Sequence, residues 1–374
     1  MQTSVSYGEK LAADLDPEAF HRSFLDRRTR HDGRQLTEFR PLSLQTDVVS
    51  SAHGSALIQC GGTRLITAIK GELASPHPNY PDEGFISIQF NCLDNLVNSD
   101  ASAGSSGVGD GQTSCDGTLR RDIDRAQRVL NDLIKRDALV PLRSLVIARG
   151  QLVWALYVDI MVLAYDGNLV DPVVAAVYAA ARRTTLPQVA VSMVDTAPQD
   201  AIQLPEDEFA KQSNVVNASP ISSAATGETR TSRVIGRQTK LDIKVYEKQR
   251  DDGKRIQVAP FFAASSFLLA ELKLVSDSGT LINGYDGQSS IGTTPPGFEN
   301  NEDGVDVVVV ADPCLAESRL FTGTVQVLCT VDGSILSLAK HGGISASSEL
   351  TNQCIVLAAA RTKAIKRLVE ESDM

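Results

Sequence analysis

The sequence predicts an α+β protein made of two tandem halves, each a small β-sheet with helices packed on it. Two observations predict this class: one order of elements occurs twice in outline, and the composition suits a large apolar core. The order is a set of β-type runs, a tight Asp-Gly turn and then an apolar helix. In the first half it covers 152–165, Asp166-Gly167 and 170–183, and in the second 305–311, 324–331, Asp332-Gly333, 334–338 and 350–369.

Length and composition support a folded chain of more than one domain. The chain has 374 residues, of which 42% are hydrophobic and 22% charged. A chain of this length can bury a large core, and this composition is typical of soluble globular proteins rather than of disordered ones. We therefore expect ordered structure over most of the sequence.

The first half is predicted to begin with a helix and an antiparallel meander. Asp16 before Pro17 is typical of a helix N-terminus, and the helix is expected to end near Arg28. Short β-type runs follow, and His53-Gly54 and Gly61-Gly62 separate them at hairpin spacing. The runs are 47–49, 55–59 and 63–69.

Two helices are predicted in the rest of the first half. From Leu119 apolar residues recur at helical spacing while arginines and aspartates occupy other positions, which predicts an amphipathic helix that ends before Pro141. The segment 170–183 is rich in alanine and valine and predicts a mostly buried helix.

The domain organisation follows from these elements and from two polar stretches. We expect an N-terminal helical arm over 1–29, a first domain over 30–202, a polar insertion or linker over 203–240 and a second domain over 241–374. The second domain carries a further insertion at 276–304, which is rich in glycine, proline and acids. Both polar stretches are predicted to lie on the surface without regular structure.

Charge and targeting signals exclude several classes of protein. Acidic residues number 46 and basic residues 36, so the formal net charge is −10. This balance argues against a strongly basic nucleic-acid clamp but leaves room for a local basic patch. The N-terminus has no apolar core of a secretory signal, and the most apolar stretch, 152–165, is too short to span a bilayer. The expectation is a soluble intracellular protein without membrane contact.

Local motifs for metal or nucleophilic chemistry are missing. The six cysteines form no C-x-x-C pair, and the five histidines are isolated from one another. No Gly-x-Ser-x-Gly elbow is present, and the glycine-rich run 104–111 lacks the Gly-Lys-Ser/Thr ending of a phosphate loop. The sequence therefore predicts no metal and no cofactor.

A set of motifs in order resembles the RNase PH family. The first four are Arg30-His31-Asp32-Gly33-Arg34, Glu38-Phe39-Arg40-Pro41, His53-Gly54-Ser55-Ala56-Leu57 and Gly61-Gly62-Thr63. Later motifs are Gly150-Gln151-Leu152-Val153-Trp154, Tyr165-Asp166-Gly167-Asn168, Leu186-Pro187, Asp312-Pro313, Thr322-Gly323-Thr324 and Lys340-His341-Gly342-Gly343. Within that family the sequence looks most like the ring subunits of the eukaryotic RNA exosome. His31 departs from the proline that is usual at its position.

The resemblance implies a fold, an assembly and a place in the cell. It implies an RNase PH-like fold of the ribosomal protein S5 domain 2-like kind. It also implies a hexameric ring with other RNase PH-like exosome subunits, S1/KH cap subunits on that ring, and a separate processive exoribonuclease that receives threaded RNA. The expected role is RNA processing, including that of ribosomal RNA, and RNA degradation in the nucleus, the nucleolus and the cytoplasm.

The resemblance also makes a chemical demand that this sequence does not meet. Phosphorolytic members hold inorganic phosphate with a Ser/Thr-Arg pair after an Asp-Ala-Gly-type turn, since a dianion needs a guanidinium and hydrogen-bond donors. Here the turn is Asp166-Gly167-Asn168 and the pair falls on Leu169-Val170. Two aliphatic side chains cannot offset phosphate desolvation, so we expect a catalytically inert subunit. Asp312 and Glu317 survive as acids, whereas a later acid is replaced near Thr322-Gly323-Thr324.

The candidates for RNA contact lie at the start of the amphipathic helix. Arg120, Arg121 and Arg125, with Arg128 beyond them, match a region whose basic residues face the central channel in the family. Arginines there would contact backbone phosphates without reading sequence. The alternative is an ordinary solvated helix face balanced by Asp122 and Asp124.

Two other functions stay open at this point. One is a phosphorolytic 3′-5′ exoribonuclease, which phosphorolysis of RNA by the purified chain would favour. The other is a free-standing RNA-binding module, which predicts tight and salt-dependent binding by the isolated chain. The acidic balance of the sequence speaks against the latter.

Overall fold

The computed structural model describes residues 15–25, 27–93, 117–193, 230–236, 239–246, 254–273, 305–320, 323–343 and 345–372. The predicted insertion at 276–304 lies outside the described residues, as does most of the predicted N-terminal arm. None of the helices within the described ranges is long and apolar enough to cross a membrane.

The first half is built on a six-stranded sheet in the order β1-β2-β3-β6-β4, with β5 paired to β6. Its strands are β1 (Leu42–Thr46), β2 (Gly54–Cys60), β3 (Thr63–Ala74), β4 (Phe85–Cys92), β5 (Val146–Ala148) and β6 (Leu152–Ala164). The predicted antiparallel meander is confirmed over β1 to β3, and Gly61 supplies the positive φ of 57° in the tight turn between β2 and β3. The run 47–49 was wrongly predicted as a strand: β1 ends at Thr46, and Asp47 leaves the β region with a φ of 58°.

Strand β4 was not predicted and forms an edge of this sheet. It runs parallel to β6, with Phe85 opposite Ala155 and Cys92 opposite Val162. Its residues alternate between exposed and half-buried, because polar and apolar side chains alternate along it. This alternation from Ile86 to Cys92 is present in the sequence and could have predicted the strand.

A nearly all-buried helix joins the two halves. Helix α1 (Pro17–Leu25) and the amphipathic helix α2 (Gly117–Lys135) come before it, and α3 (Val170–Arg183) is buried from Val170 to Ala181. Small alanines and valines on every side of α3 let it contact β2 and β3 of the first half as well as the second half's strand β12 (Phe262–Lys273). The prediction of a buried helix is confirmed.

The second half is a four-stranded sheet covered by a long helix. The sheet has the order β13-β12-β14-β15, with β13 (Val305–Ala311), β14 (Gly323–Thr330) and β15 (Ile335–His341). A short helix α4 (Leu315–Leu320) follows β13, and α5 (Ser348–Glu371) packs on β12 and β14. Ser347 caps α5, since its side chain accepts a hydrogen bond of 3.2 Å from the Leu350 amide. The predicted repeat of the element order is confirmed.

The polar stretch 203–240 contains strand structure where none was predicted. Strands β9 (Arg230–Gly236) and β10 (Thr239–Tyr246) form a hairpin, and β10 pairs with β8 (Gln188–Met193). Thr, Val and Ile in these strands favour extended backbone. Apolar and polar residues alternate along β10 from Leu241 to Val245, which is a strand signal, whereas β9 shows no alternation. The predicted boundary between residues 240 and 241 lies inside β10. A further two-stranded pair joins β7 (Thr185–Leu186), which precedes β8 in the chain, to β11 (Lys254–Arg255), which follows β10. The domain limits as a whole stay predictions.

We predict that Gly54→Ala destabilises the fold while Gly117→Ala does not. A Cβ atom at Gly54 would lie 2.2 Å from Thr184 Oγ1 and 2.5 Å from the Ala180 carbonyl oxygen, so β2 would have to move away from the end of α3. Overpacking of this kind costs about 1–3 kcal/mol or more. At Gly117 a Cβ meets nothing within 4 Å, and alanine favours a helix.

Urea unfolding of the two variants beside the parent chain checks this prediction. The expected result is a lower unfolding midpoint for Gly54→Ala alone. Equal midpoints for both variants and the parent would show that β2 does not pack so closely on α3.

Candidate functional site

A cluster of buried charged and polar side chains holds the two halves together. Arg40 of the first half donates to the Asp312 carboxylate of the second three times: from its amide (2.9 Å) and Nε (3.0 Å) to Oδ2, and from Nη2 (2.8 Å) to Oδ1. Asn168 Nδ2 donates to Asp312 Oδ1 (2.6 Å) and to Asp171 Oδ2 (2.8 Å). Asp171 also accepts from the amide and hydroxyl of Ser266 on β12. We call Arg40, Asn168, Asp171, Ser266 and Asp312 the buried ion cluster.

A second ion pair lies beside this cluster. Arg30 Nε donates to Glu317 Oε1 at 2.8 Å, and its Nη2 contacts Glu317 Oε2. The same guanidinium donates to the carbonyl oxygens of Ala311 and Asp312, at 2.7 and 3.1 Å. Arg30 and Glu317 are each only 2% exposed. The segment around residues 30–40 is therefore fixed to the turn after β13.

The two aspartates of the cluster differ in pKa. Burial opposes ionisation of Asp312, but the hydrogen bonds and charge of Arg40 outweigh it and hold the pKa of this carboxyl well below its usual range. Burial, together with the charge of Asp312, raises the pKa of Asp171 to about 6, although Asn168 and Ser266 donate to it. Asp312 is thus held in its ionised form by hydrogen bonds. In this state it has no proton to donate as a general acid.

Glu317, the other surviving acid, is also occupied. Burial favours its neutral form, but Arg30 lowers the pKa of Glu317 below its ordinary value. Its Oε2 accepts a further hydrogen bond of 2.9 Å from the Cys314 amide. Both acids that the resemblance marks as retained therefore hold the fold together.

An open cleft of about 140 Å³ lies next to the buried ion cluster, between the two halves. Three arginines line it, namely Arg121 and Arg125 of α2 and Arg319 of α4, together with His341, Asn168 and Val170. We call it the arginine cleft. Burial and the charges of Arg125 and Arg128 lower the pKa of His341, which favours the neutral form of its ring. Two polar atoms here, Asn168 Oδ1 and Thr324 Oγ1, are buried without a hydrogen-bond partner.

The structure places two of the three predicted RNA-contact residues, Arg120, Arg121 and Arg125, at the cleft. Arg121 and Arg125 line the cleft, whereas Arg120 is exposed on the same helix and is not among its lining residues. Arg125 is paired with Asp122 at 3.2 Å, and Tyr165 donates to the same carboxyl group at 2.8 Å. Asp122 also lines the cleft, so three guanidinium groups and one carboxylate are among its described lining residues and the balance is positive.

The bend before α3 has the conformation that a turn of this sequence requires. Gly167 has a φ of 76° and Asn168 a φ of 46°, both in the left-handed region that Gly and Asn tolerate best. Leu169 is fully buried, and Val170, 4% exposed, lines the cleft. The two positions thus offer no charge and no hydrogen-bond donor from their side chains.

Arg319 was not predicted as a cleft residue. It lies on α4 after the turn at Asp312, and its approach to α2 depends on how the two halves dock. No local spacing in the sequence carries this information. His341 belongs to the family-like motif Lys340-His341-Gly342-Gly343, but its position in the cleft was not predicted.

Comparison with known proteins identifies the class of this fold and site. Residues 38–187 match the family model of the 3′ exoribonuclease family, domain 1, also called RNase PH. The chain therefore contains an RNase PH domain. In the first half this match covers the whole six-stranded sheet, α2, α3 and the bend at Asp166–Asn168.

Two curated relatives of similar sequence are exosome components. The chain is 33% identical over 177 residues to the exosome complex component Rrp42 of Methanothermobacter thermautotrophicus, an alignment that covers 46% of this chain and 60% of that protein. It is 33% identical over 186 residues to the exosome complex component rrp43 of Schizosaccharomyces pombe, covering 49% and 63% respectively. The chain thus spans less than two thirds of the length of these curated relatives.

Solved structures extend the likeness in fold to the second half. A chain of the Archaeoglobus fulgidus exosome with RNA bound to the active site is similar with a TM-score of 0.57 at 19% identity, over 96% of this chain and 98% of that one. An archaeal exosome core chain gives 0.55 at 18% identity, over 98% and 100%. The predicted RNase PH-like fold with two halves is confirmed.

We predict that Asp312→Asn strongly destabilises the fold, because it leaves the Arg40 guanidinium buried beside a neutral group. Breaking a buried ion pair on one side costs about 3–5 kcal/mol. Asp47→Asn is the matched control, since Asp47 also has a positive φ (58°, against 47° for Asp312) and also accepts from an arginine, Arg183, but is exposed. Its replacement should cost less than about 1 kcal/mol.

Guanidinium titration at neutral pH measures the unfolding free energy of both variants and of the parent chain. A loss for Asp312→Asn no greater than that for Asp47→Asn would contradict the role given to the buried ion cluster.

Proposed function

We propose that this protein is a non-catalytic ring subunit of an RNA exosome, which supports 3′-5′ RNA processing and degradation by its partners. The observation that carries the proposal is the pair Leu169 and Val170, which follows the bend where phosphorolytic members of the family place a phosphate-binding Ser/Thr-Arg pair. The fully buried Leu169 and the nearly buried Val170 provide neither charge nor donor. The names of the relatives Rrp42 and rrp43, both exosome complex components, support the assembly.

The edge strands of the two sheets support a place within a ring. Among the described strands β4 pairs only with β6, and large apolar side chains near this edge are exposed: Phe85 (38%), Tyr157 (36%) and Met161 (41%). At the edge of the other sheet, Ile335 and Leu338 of β15 are 46% and 47% exposed. Exposed apolar edge strands favour pairing with a neighbouring chain.

The proposed partners follow from this assignment. Other RNase PH-like exosome subunits would complete a hexameric ring, S1/KH subunits would cap it, and a processive exoribonuclease would receive the RNA. The proposed sites of action are the nucleus with its nucleolus and the cytoplasm. Purification of the tagged chain with mass spectrometry of its companions tests this part, and a monomer without companions would contradict it.

A phosphorolytic exoribonuclease remains the second candidate, because one observation favours it. Arg121, Arg125 and Arg319 bring guanidinium groups to the cleft that Val170 lines, so positive charge for an anion is present although the bend itself supplies none. The acid among the described lining residues is Asp122, and it is held by Arg125 at 3.2 Å and by the Tyr165 hydroxyl at 2.8 Å. The nearby acids Asp312 and Glu317 are held by arginines.

We predict no phosphorolysis by the purified chain. Incubation with a single-stranded RNA and inorganic phosphate should release no nucleoside diphosphate above background, because no residue of the bend binds the attacking phosphate. Chromatographic detection of nucleoside diphosphates measures this. Phosphate-dependent shortening from the 3′ end, abolished by Arg121→Ala, would establish the second candidate instead.

We predict that RNA contacts this chain through the arginine cleft. In the purified complex, the double substitution Arg121→Ala with Arg125→Ala should reduce ultraviolet cross-linking of RNA to this subunit several-fold, since each arginine lost removes a contact to a backbone phosphate. Arg120→Ala is the matched control from the same helix and should leave cross-linking unchanged. Equal losses in the two cases would indicate a diffuse charge effect rather than the cleft.

A further inference from the structure

Three potential metal ligands from distant parts of the chain meet beside the Arg30–Glu317 ion pair. The ligand atoms of His31, Cys314 and Glu317 all lie within 4.8 Å of one another. Local spacing in the sequence predicts no metal, because His31 lies near one end of the chain and Cys314 and Glu317 lie near the other. Only the docking of the segment at 30–40 onto the turn after β13 brings them together.

The surrounding contacts hold these side chains in place. Arg30 is fixed by Glu317 and by the carbonyl oxygens of Ala311 and Asp312, so the next residue, His31, is held over the start of α4. The Cys314 amide donates to Glu317 Oε2, which ties the thiol-bearing residue to the carboxylate. Cys314 is 5% exposed and Glu317 2%, whereas His31 is exposed, so an ion can reach the group from solvent.

Glu317 keeps room for a ligand bond despite its arginine partner. Its Oε1 accepts a hydrogen bond from Arg30 Nε at 2.8 Å, and a carboxylate oxygen has two lone pairs. A bridging carboxylate that binds a metal through one lone pair and a donor through the other is the usual arrangement around metal ligands. The Arg30 contact therefore orients the carboxylate and leaves it able to bind.

A fourth ligand is close at hand. The ring of His21 on α1 lies 5.1 Å from the His31 ring, centroid to centroid, at 81° to it. His21 is 7% exposed. A water molecule or this imidazole can complete a four-coordinate site.

We propose that His31, Cys314 and Glu317 form a binding site for a divalent transition-metal ion of the zinc type. A thiolate, an imidazole and a carboxylate suit zinc or cobalt(II), whereas magnesium and calcium require oxygen ligands throughout. On binding, the Cys314 thiol gives its proton to the buffer and the sulfur bonds to the metal. Tetrahedral coordination places ligand atoms about 3.5 Å apart. Side-chain rotations that move the ligand atoms by about 1 Å therefore complete the site. The ion would link the N-terminal segment to the second half.

Cobalt(II) is the probe for the test, since its thiolate complexes absorb in the near ultraviolet. Titration of the chelator-treated full chain should give a thiolate-to-cobalt charge-transfer band that saturates at one equivalent and disappears when zinc is added. His31→Ala should weaken cobalt binding by at least about tenfold, because even loss of a supporting contact to a metal ligand has this effect. Cys314→Ser should abolish the band.

His77→Ala and Cys92→Ser are the matched controls, because neither residue belongs to the group, and both variants should keep the band at full affinity. His31 is exposed, so its replacement leaves the fold intact even where Cys314→Ser does not. Zinc should also raise the Tm of the unmodified chain and leave that of His31→Ala unchanged. The absence of a charge-transfer band in the unmodified chain, or its survival in His31→Ala at unchanged affinity, would overturn the proposal.

Discussion

The structure depends on a carboxylate that is completely removed from water. Asp312 is 1% exposed and lies at the junction of the two halves, where an isolated charge would be prohibitively costly. Arg40 and Asn168 give it four hydrogen bonds, and both come from the first half. Docking of the two halves thus supplies the hydrogen bonds that the Asp312 carboxylate needs. Any other arrangement of the halves would leave this charge buried without them. Helix α3 also packs against strands of both sheets, but apolar packing does not specify the alignment in the same way.

This constraint also determines what the neighbouring cleft can do. The bend at Gly167-Asn168 is held from both sides, since the Gly167 carbonyl accepts from Arg40 and Thr63, and the Asn168 amide donates to two aspartates. A rigid bend presents Val170 to the cleft, while the arginines of α2 and α4 face it from the opposite walls. The result is a surface that can attract a polyanion yet carries no described acid free for proton transfer. These properties are the physical basis of the non-catalytic role proposed above.

Sequence patterns predicted the elements well and their meeting points poorly. The meander, the buried helix at 170–183 and the repeated strand-turn-helix order follow from local periodicity and from Asp-Gly and Gly-Gly turns, and these are present. Strands β4 and β10 do alternate between polar and apolar residues and were overlooked, whereas β9 has no such alternation. The cleft position of Arg319, the Arg40–Asp312 pair and the grouping of His31 with Cys314 depend on contacts between residues hundreds of positions apart. Local propensity and spacing contain no information on such contacts.

Native-state hydrogen exchange tests most directly whether the buried charge makes the two halves one cooperative unit. The measurement compares the opening free energies of core amides in β3 of the first half and in β12 of the second, over a range of low denaturant concentrations. If docking around Asp312 unites the halves, the slowest amides of both sheets open with the same free energy and the same denaturant dependence. Two distinct opening free energies, with one sheet unfolding while the other stays protected, would contradict this account.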